Sequence, residues 1–201
     1  MKTSNIVTAV LMLLITCSIN ATSSSKRDRV IAEVERLGGK VEVDETSKQI
    51  VKIDLHGTKI TDADLVFLGD VKEIRTLDLR LTHIGDAGVE HLKNLRNLGT
   101  LNLFRTNLTD VGLAHLRKLN KLETLLIGGT KVTDPGLVNL KGMKDLKKLS
   151  LFQTQVSDRG IPYLKMLSNL ESLLISGTKI TDAGARELQQ ALPKVRFGET
   201  T

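Results

Sequence analysis

One pattern of 24 residues recurs six times without a gap, and it constrains the fold more than any other feature of the chain. The six units begin at Ile50, Ile74, Leu98, Leu122, Leu146 and Leu170. Each unit contributes one residue to a threonine column, made of Thr58, Thr82, Thr106, Thr130, Thr154 and Thr178. Each also contributes to an aspartate column, made of Asp62, Asp86, Asp110, Asp134, Asp158 and Asp182. A period of this length is typical of solenoids, in which stacked units bury a shared core.

Leucine, isoleucine and valine fill the apolar positions of the unit. Aromatic residues make up only 2% of the chain and there is no tryptophan, so these aliphatic columns must supply the core. In the first half of each unit the apolar residues alternate with polar ones, as in a strand, and in the second half they follow helical spacing. The pattern predicts an α/β fold in which a strand, a turn and a short helix close each coil of a right-handed solenoid.

The polar columns have predicted structural roles within this solenoid. We expect each aspartate of the column to be a helix N-cap, because it directly precedes the helical spacing and Pro135 follows Asp134. We expect the threonine hydroxyls to bond the backbone of the neighbouring coil. A glycine column two residues after the aspartates should allow a tight entry into the helix, and it consists of Gly88, Gly112, Gly136, Gly160 and Gly184, with Asp64 in the first unit.

Residues 1–21 have the pattern of a secretion signal, with Lys2 before an apolar run over residues 6–17 and Ala21 at a plausible cleavage end. Two alternatives stay open. Cys17 could be lipidated, although Thr16 is larger than the residue usually found before such a cysteine, or the segment could remain as an uncleaved anchor. Cys17 is the only cysteine, so cleavage would leave no thiol. We predict an exported protein that is periplasmic, secreted or envelope-associated, with membrane contact only under the two alternatives.

Residues 22–49 are predicted to form a short leader and an N-terminal cap. Helical spacing of Val30, Val34 and Leu37 ends at a pair of glycines, and alternating valines at 41 and 43 indicate a strand that forms a hairpin with the first repeat. The six repeats then cover residues 50–193. Residues 194–201 are predicted to be a closing edge strand and tail, with Lys194 and Arg196 discouraging pairing with another chain.

The unit, written LxxLxLxxTxITDxGLxxLxxLxx, resembles the leucine-rich repeat, in a variety common in exported bacterial proteins. The resemblance covers residues 50–193, and residues 26–49 resemble the N-terminal cap of that family. It implies a curved solenoid with a parallel sheet on the concave side, short helices on the convex side, and a binding role toward another protein. The unit also looks like the repeats of F-box substrate receptors, but nothing in residues 1–49 resembles an F-box.

A candidate partner-binding surface lies on the outward positions of the predicted concave sheet. Since neighbouring strands lie ~4.8 Å apart, Phe104 and Phe152 should flank Gly128 about 9–10 Å apart and form a slot for an apolar side chain. Leucines would extend the slot and charged residues would bound it. In the alternative interpretation the two rings fold over Gly128 and shield it. The proposed contact residues are Asp54, His56, Asp78, Arg80, Phe104, Arg105, Leu126, Gly128, Phe152 and Leu174.

A second candidate surface is a basic column on the convex helices, consisting of Lys93, Arg117, Lys141 and Lys165. It could contact an anionic surface, although cations in a last helical turn also complement the helix dipole without any ligand. Nucleic acid is disfavoured because aromatic residues for base stacking are lacking. No acidic column accompanies the aspartates, and the histidine pair at 91 and 115 lacks further ligands, so no metal or other cofactor is predicted.

No nucleophile motif, phosphate-binding glycine loop or zinc-protease motif occurs in the chain, and an enzyme is not predicted. The sequence favours a monomeric, non-enzymatic binding module that recognises a protein or peptide through the concave face. The alternative is a structural or envelope-associated protein that attaches to an anionic surface through its convex basic residues. Salt distinguishes the two, because binding through the basic column should weaken steeply with ionic strength.

Overall fold

A computed structural model describes residues 26–198, and the predicted signal segment, Cys17 and the last three residues lie outside this range. One sheet of eight strands runs through the molecule in the order of the sequence. The first two strands are antiparallel and all later pairs are parallel. The strands are β1 (Lys40–Val43), β2 (Ile50–Asp54), β3 (Thr76–Asp78), β4 (Thr100–Asn102), β5 (Thr124–Leu126), β6 (Lys148–Ser150), β7 (Ser172–Leu174) and β8 (Arg196–Phe197).

The parallel strands are stacked so that residues 24 apart in sequence are neighbours in the sheet, as Leu77, Leu101 and Leu125 show. These leucines are essentially inaccessible to solvent, as are their counterparts on the helical side of each coil. The core is therefore one continuous aliphatic column between the sheet and the helices, and the predicted fold class is confirmed.

The helical side of each coil is short and partly 3₁₀ in geometry. The tighter 3₁₀ turn lets a few residues span the return path before the chain enters the next strand. Among the residues that the structure describes, no helix is long and apolar enough to cross a membrane. The α-helices are α1 (26–36), α2 (Asp86–Glu90), α3 (Asp110–His115), α4 (Ile161–Leu164) and α5 (Asp182–Ala191). The 3₁₀ segments are Asp62–Asp70, Leu116–Lys118, Asp134–Leu140 and Asp158–Gly160.

The threonine column bonds within its own coil, which corrects the prediction of contacts to the neighbouring coil. Each hydroxyl donates to the backbone carbonyl three residues earlier, as Thr106 Oγ1 does to the Leu103 oxygen at 2.8 Å. The bond closes the turn that follows each strand. Four of these threonines are buried, so the hydroxyl needs this acceptor to avoid the cost of an unpaired polar group.

The aspartate column joins consecutive coils, and the prediction that these residues are the N-caps is wrong by one position. The N-cap is the preceding residue, such as Thr109 or Thr133, and the aspartate is the first residue of the helical segment. Asp110 accepts the Thr133 N–H at 2.8 Å through Oδ1 and the Thr133 hydroxyl at 2.5 Å through Oδ2. The same paired bonds join Asp86 to Thr109, Asp134 to Ser157 and Asp158 to Thr181.

The two ends of the aspartate column differ from its middle members. Asp62 accepts only the N–H of Gly85, since a glycine has no hydroxyl. Thr61 has no preceding coil, and both its N–H and its hydroxyl donate to Asp64 of its own coil. Asp182 has no following coil, and its exposed side chain has no partner among residues 26–198. The predicted capping role of the column is thus replaced by a bond between coils that every aspartate except Asp182 forms.

The glycine column exists because the carboxylate of the preceding coil occupies the space of a side chain. A Cβ at Gly136 would overlap Asp110 Oδ1 and lie 2.9 Å from Asp110 Cγ. The other members meet the preceding aspartate in the same way. Asp64 can interrupt the column because no aspartate precedes it. A steric requirement between coils, rather than a tight helix entry, therefore explains these glycines.

The third residue of the turn that follows each repeat strand has a positive φ in every coil. Glycine occupies this position at 57, 129 and 177, but Leu81, Arg105 and Gln153 occupy it with φ values of 58°, 53° and 53°. A side chain in this left-handed region costs about 1–2 kcal/mol relative to the right-handed one. Three coils therefore carry local strain at the same point.

Leu81→Gly should raise the free energy of unfolding by about 0.5 kcal/mol, because relief of the left-handed strain exceeds the entropy that glycine loses on folding. The matched control is Val66→Gly, which changes another exposed apolar residue but one that lies in a 3₁₀ segment without positive φ. This control should lower stability by about 1 kcal/mol. Chemical denaturation of both variants tests the prediction, and equal destabilisation would contradict it.

Candidate functional site: the concave face

A groove of about 470 Å³ lies along the outward face of the sheet. It crosses the middle and later coils, from the third strand of the sheet to the seventh. Its lining combines two aromatic rings and two leucines with amide, hydroxyl and guanidinium groups. The lining residues are Arg80, Asn102, Phe104, Leu126, Ser150, Phe152, Leu174 and Ser176.

Two phenylalanine rings converge over a glycine at the centre of this groove. The ring centroids of Phe104 and Phe152 are 6.3 Å apart and the planes are tilted by 32°. A Cβ at Gly128 would lie 3.1 Å from Phe104 Cδ2 and 3.1 Å from Phe152 Cβ, so the glycine is needed for the rings to approach. The predicted open slot of 9–10 Å is wrong, and the geometry is that of the shielding interpretation. Both rings remain half-buried, so their outer faces still line the groove.

The apolar part of the groove is smaller than the sequence indicates. Leu126 is half-buried and available at the floor. Leu174 is only 7% exposed and contributes little contact surface, which corrects its prediction as part of an exposed apolar patch. Ser150 lies between these two leucines in the sheet and is also buried. The accessible apolar surface is therefore Leu126 with the outer faces of the two rings.

Arg105 joins the groove to its rim. Its guanidinium carbon lies 5.2 Å from the centroid of the Phe104 ring, within the range of a cation–π contact. The side chain is exposed and has no carboxylate partner among the described residues. The contact orients a positive charge above the aromatic pair.

The end of the groove nearest β2 is polar and internally paired. Asp54 accepts the His56 N–H at 3.0 Å and lies 2.7 Å from His56 Nδ1. Partial burial raises the pKa of Asp54, but the hydrogen bonds from His56 and the nearby Arg80 outweigh it and lower that pKa below its usual value. Asp78 accepts the Arg80 N–H at 3.0 Å. This end of the groove therefore carries two carboxylates, each next to a basic side chain.

The convex basic column is less available than the sequence indicates. Lys93 is bonded to Glu90 at 2.8 Å, and Lys165 is bonded to Glu187. Arg117 and Lys141 are exposed. Two of the four residues predicted to contact an anionic surface are thus paired with glutamates. Glu90 lies in the same coil as Lys93 and Glu187 in the coil after Lys165, so the basic column alone did not indicate these pairs.

A different basic surface was missed by reasoning from the sequence. The four residues that begin two positions after the end of each of the strands β2 to β7 form what we term the exit rim, and in the six units these are 56–59, 80–83, 104–107, 128–131, 152–155 and 176–179. No aspartate or glutamate occurs in the exit rim. This basic surface could have been found from the sequence by summing the charge at each position of the 24-residue unit. Its ionisable residues are His56, Lys59, Arg80, His83, Arg105, Lys131 and Lys179, and all of them are exposed.

A family model described as Leucine Rich repeat matches residues 74–93 and 167–188. The fold is a leucine-rich-repeat solenoid. An internalin from Listeria monocytogenes has a similar structure, with a TM-score of 0.54 and 19% identity over 77% of this chain. The solenoid covers 51% of that internalin, or about half of its length. No curated protein sequence matches the chain.

Two further solved structures resemble the solenoid. One is the leucine-rich-repeat ectodomain of the plant receptor kinase GASSHO1/SCHENGEN3 from Arabidopsis thaliana, in complex with CASPARIAN STRIP INTEGRITY FACTOR 2. It has a TM-score of 0.52 and 17% identity, covering 78% of this chain and 22% of the ectodomain. The other is internalin C2 of Listeria monocytogenes, with a TM-score of 0.48 and 28% identity, covering 66% of this chain and 55% of that one. Within residues 26–198, no group of three or more potential ligands could hold a metal ion.

Proposed function

We propose that this leucine-rich-repeat solenoid is a non-enzymatic module that binds a protein or peptide through its concave face. The observation that carries the proposal is the groove over the aromatic pair, where two half-buried rings and Leu126 remain accessible beside polar groups. Ligand sites typically combine apolar surface with a few convergent polar groups in this way. The plant receptor ectodomain, solved in a complex, supports a binding role for this type of scaffold.

The groove favours a small contact such as one extended peptide or a single loop. A volume of about 470 Å³ falls in the range of pockets that hold a few side chains rather than a large domain. Export and a monomeric state are part of the same proposal. The alternative, attachment to an anionic surface through the convex basic column, is less well supported because Lys93 and Lys165 are bonded to glutamates.

Leu126→Asn is the sharpest test of the concave face. The neighbouring strands carry Asn102 and Ser150 at the matching positions and both are buried, so a polar residue is compatible with the sheet here. Replacement of both phenylalanines would be less clean, because it would also uncover Gly128. The matched control is Val111→Asn, which makes the same change at a convex residue that is 64% exposed.

Affinity capture from envelope and secreted extracts, followed by titration of the captured partner, provides the measurement. We expect the affinity to fall about tenfold with Leu126→Asn, equal to about 1.4 kcal/mol, and to be unchanged with Val111→Asn. A partner that binds both variants equally, and is released by moderate salt, would show that the concave groove is not the site. Equal thermal stability of the two variants is checked first.

A further inference from the structure

The exit rim is a surface of one sign of charge. Its four positions carry five lysines and arginines and two histidines across the six units, with no acidic residue. Neighbouring strands lie ~4.8 Å apart, so the charges of successive coils repel one another without a carboxylate between them. Among the described residues, two rim side chains contact a carboxylate, Arg80 that of Asp78 at 3.5 Å and His56 that of Asp54 at 2.7 Å.

On other surfaces of the solenoid, some exposed cations are paired with acidic neighbours. Glu90 is bonded to Lys93 and Glu123 to Lys147, each at 2.8 Å. Glu33 is bonded to Arg36 at 2.7 Å. In the exit rim, Lys59, Lys131 and Lys179 have no carboxylate within salt-bridge distance among residues 26–198, and no rim position carries an acidic residue that could pair with them.

Arg105 connects this charge to the apolar groove. Its backbone is in the left-handed region, where glycine is present in three of the other five coils. The backbone would accept glycine here with less strain, so the turn does not require the arginine side chain. That side chain instead lies over Phe104 and adds a positive charge at the border between the rim and the aromatic pair.

We propose that the exit rim binds an acidic segment of a partner protein, with an apolar side chain of that segment in the groove. This inference rests on the proposed concave-face function and names the chemistry of its partner. Carboxylates of the segment would pair with Arg105, Lys131 and Lys179. An apolar residue would contact Leu126 and the outer faces of the phenylalanine rings, as the adjacent apolar lining requires.

A protein segment fits this surface better than a uniformly anionic polymer. Such a polymer has no apolar side chain for the groove. It would also meet the carboxylates of Asp54 and Asp78 beside the groove, and like charges repel. A peptide can present carboxylates to the rim and a neutral or basic residue to Asp54 and Asp78, so its charge pattern can complement both regions.

Selection from a random nonapeptide library on the immobilised full chain tests the inference. We expect the selected peptides to be enriched in aspartate and glutamate together with one apolar residue. The rim variant carries Arg105→Gln, Lys131→Gln and Lys179→Gln. The matched control carries Arg117→Gln, Lys141→Gln and Lys144→Gln on the convex side, so both variants lose three positive charges from a net charge of +6.

Fluorescence anisotropy with the most enriched peptide then gives the affinities. We expect the dissociation constant to rise at least tenfold with the rim variant and less than twofold with the convex control. Equal losses in both variants would overturn the inference, because general charge attraction would then explain binding. Binding of inorganic polyphosphate through the rim, with no acidic peptide selected, would also overturn it in favour of a polyanion. If the selected peptides are instead neutral and apolar, and Leu126→Asn weakens their binding, the inference of an acidic partner is wrong but the proposed concave-face function stands.

Discussion

Asp110→Ala should lower the free energy of unfolding by about 3 kcal/mol, the combined effect of two lost charge-assisted hydrogen bonds and two donors left unpaired. The carboxylate of Asp110 accepts both the N–H and the hydroxyl of Thr133, which is half-buried at the start of the next helical segment. Among residues 26–198, no other acceptor is bonded to these two donors. The loss falls in the middle of the stack, where it weakens the interface between two coils.

Chemical denaturation followed by circular dichroism measures this effect. Asp182→Ala is the matched control, since it removes the same side chain from the one member of the column without a following coil. It should change stability by less than about 0.5 kcal/mol, as is usual for an exposed surface residue. Similar losses from both variants would mean that the aspartates act on their own helices and not between coils.

Gly136→Ala should lower the free energy of unfolding by about 2–3 kcal/mol, within the range for overpacking of a well-packed interior. The added Cβ would overlap Asp110 Oδ1, and the carboxylate cannot move away without loss of its bonds to Thr133. In an ordinary helix the same change would be stabilising by about 1 kcal/mol. The sign of the effect therefore reports the contact between coils.

The control and the double variant make this prediction specific. Gly142→Ala should be nearly neutral, because the nearest atoms to its added Cβ would lie at 3.7 Å. In the Asp110→Ala background the collision is absent, so Gly136→Ala should cost at least about 1 kcal/mol less than in the wild-type chain. Additive effects of the two substitutions would contradict the steric explanation for the glycine column.

The aspartate and glycine columns show what a repeat pattern in the sequence does not indicate. Both columns are visible in the sequence, and both were assigned to the helix in which they lie. The bonded partners are instead 23 residues later, as for Asp110 and Thr133. A fixed period makes contacts within a unit and contacts with the next unit equally regular. Only the distance between coils distinguishes the two, and that distance is a tertiary property.

For the concave site, too, the sequence indicated which residues are neighbours but not how their side chains contact each other. The sequence predicted that Phe104, Gly128 and Phe152 are neighbours in three consecutive coils, because the register of a parallel sheet decides which residues lie side by side. It left open whether the rings stand apart as a slot or fold over the glycine, since side-chain rotation depends on the space that the neighbours leave. The same holds for the pairing of Lys93 and Lys165 with glutamates.

The sequence by itself determined the fold class, the strand register and the aliphatic core. Each of these depends only on which residue types recur every 24 positions, and the apolar columns leave one way to bury them. The tertiary structure decided the partners of the aspartates, the reason for the glycines, the closing of the aromatic pair and the uncompensated charge of the exit rim. These depend on distances between side chains of different coils, which a repeat pattern does not contain.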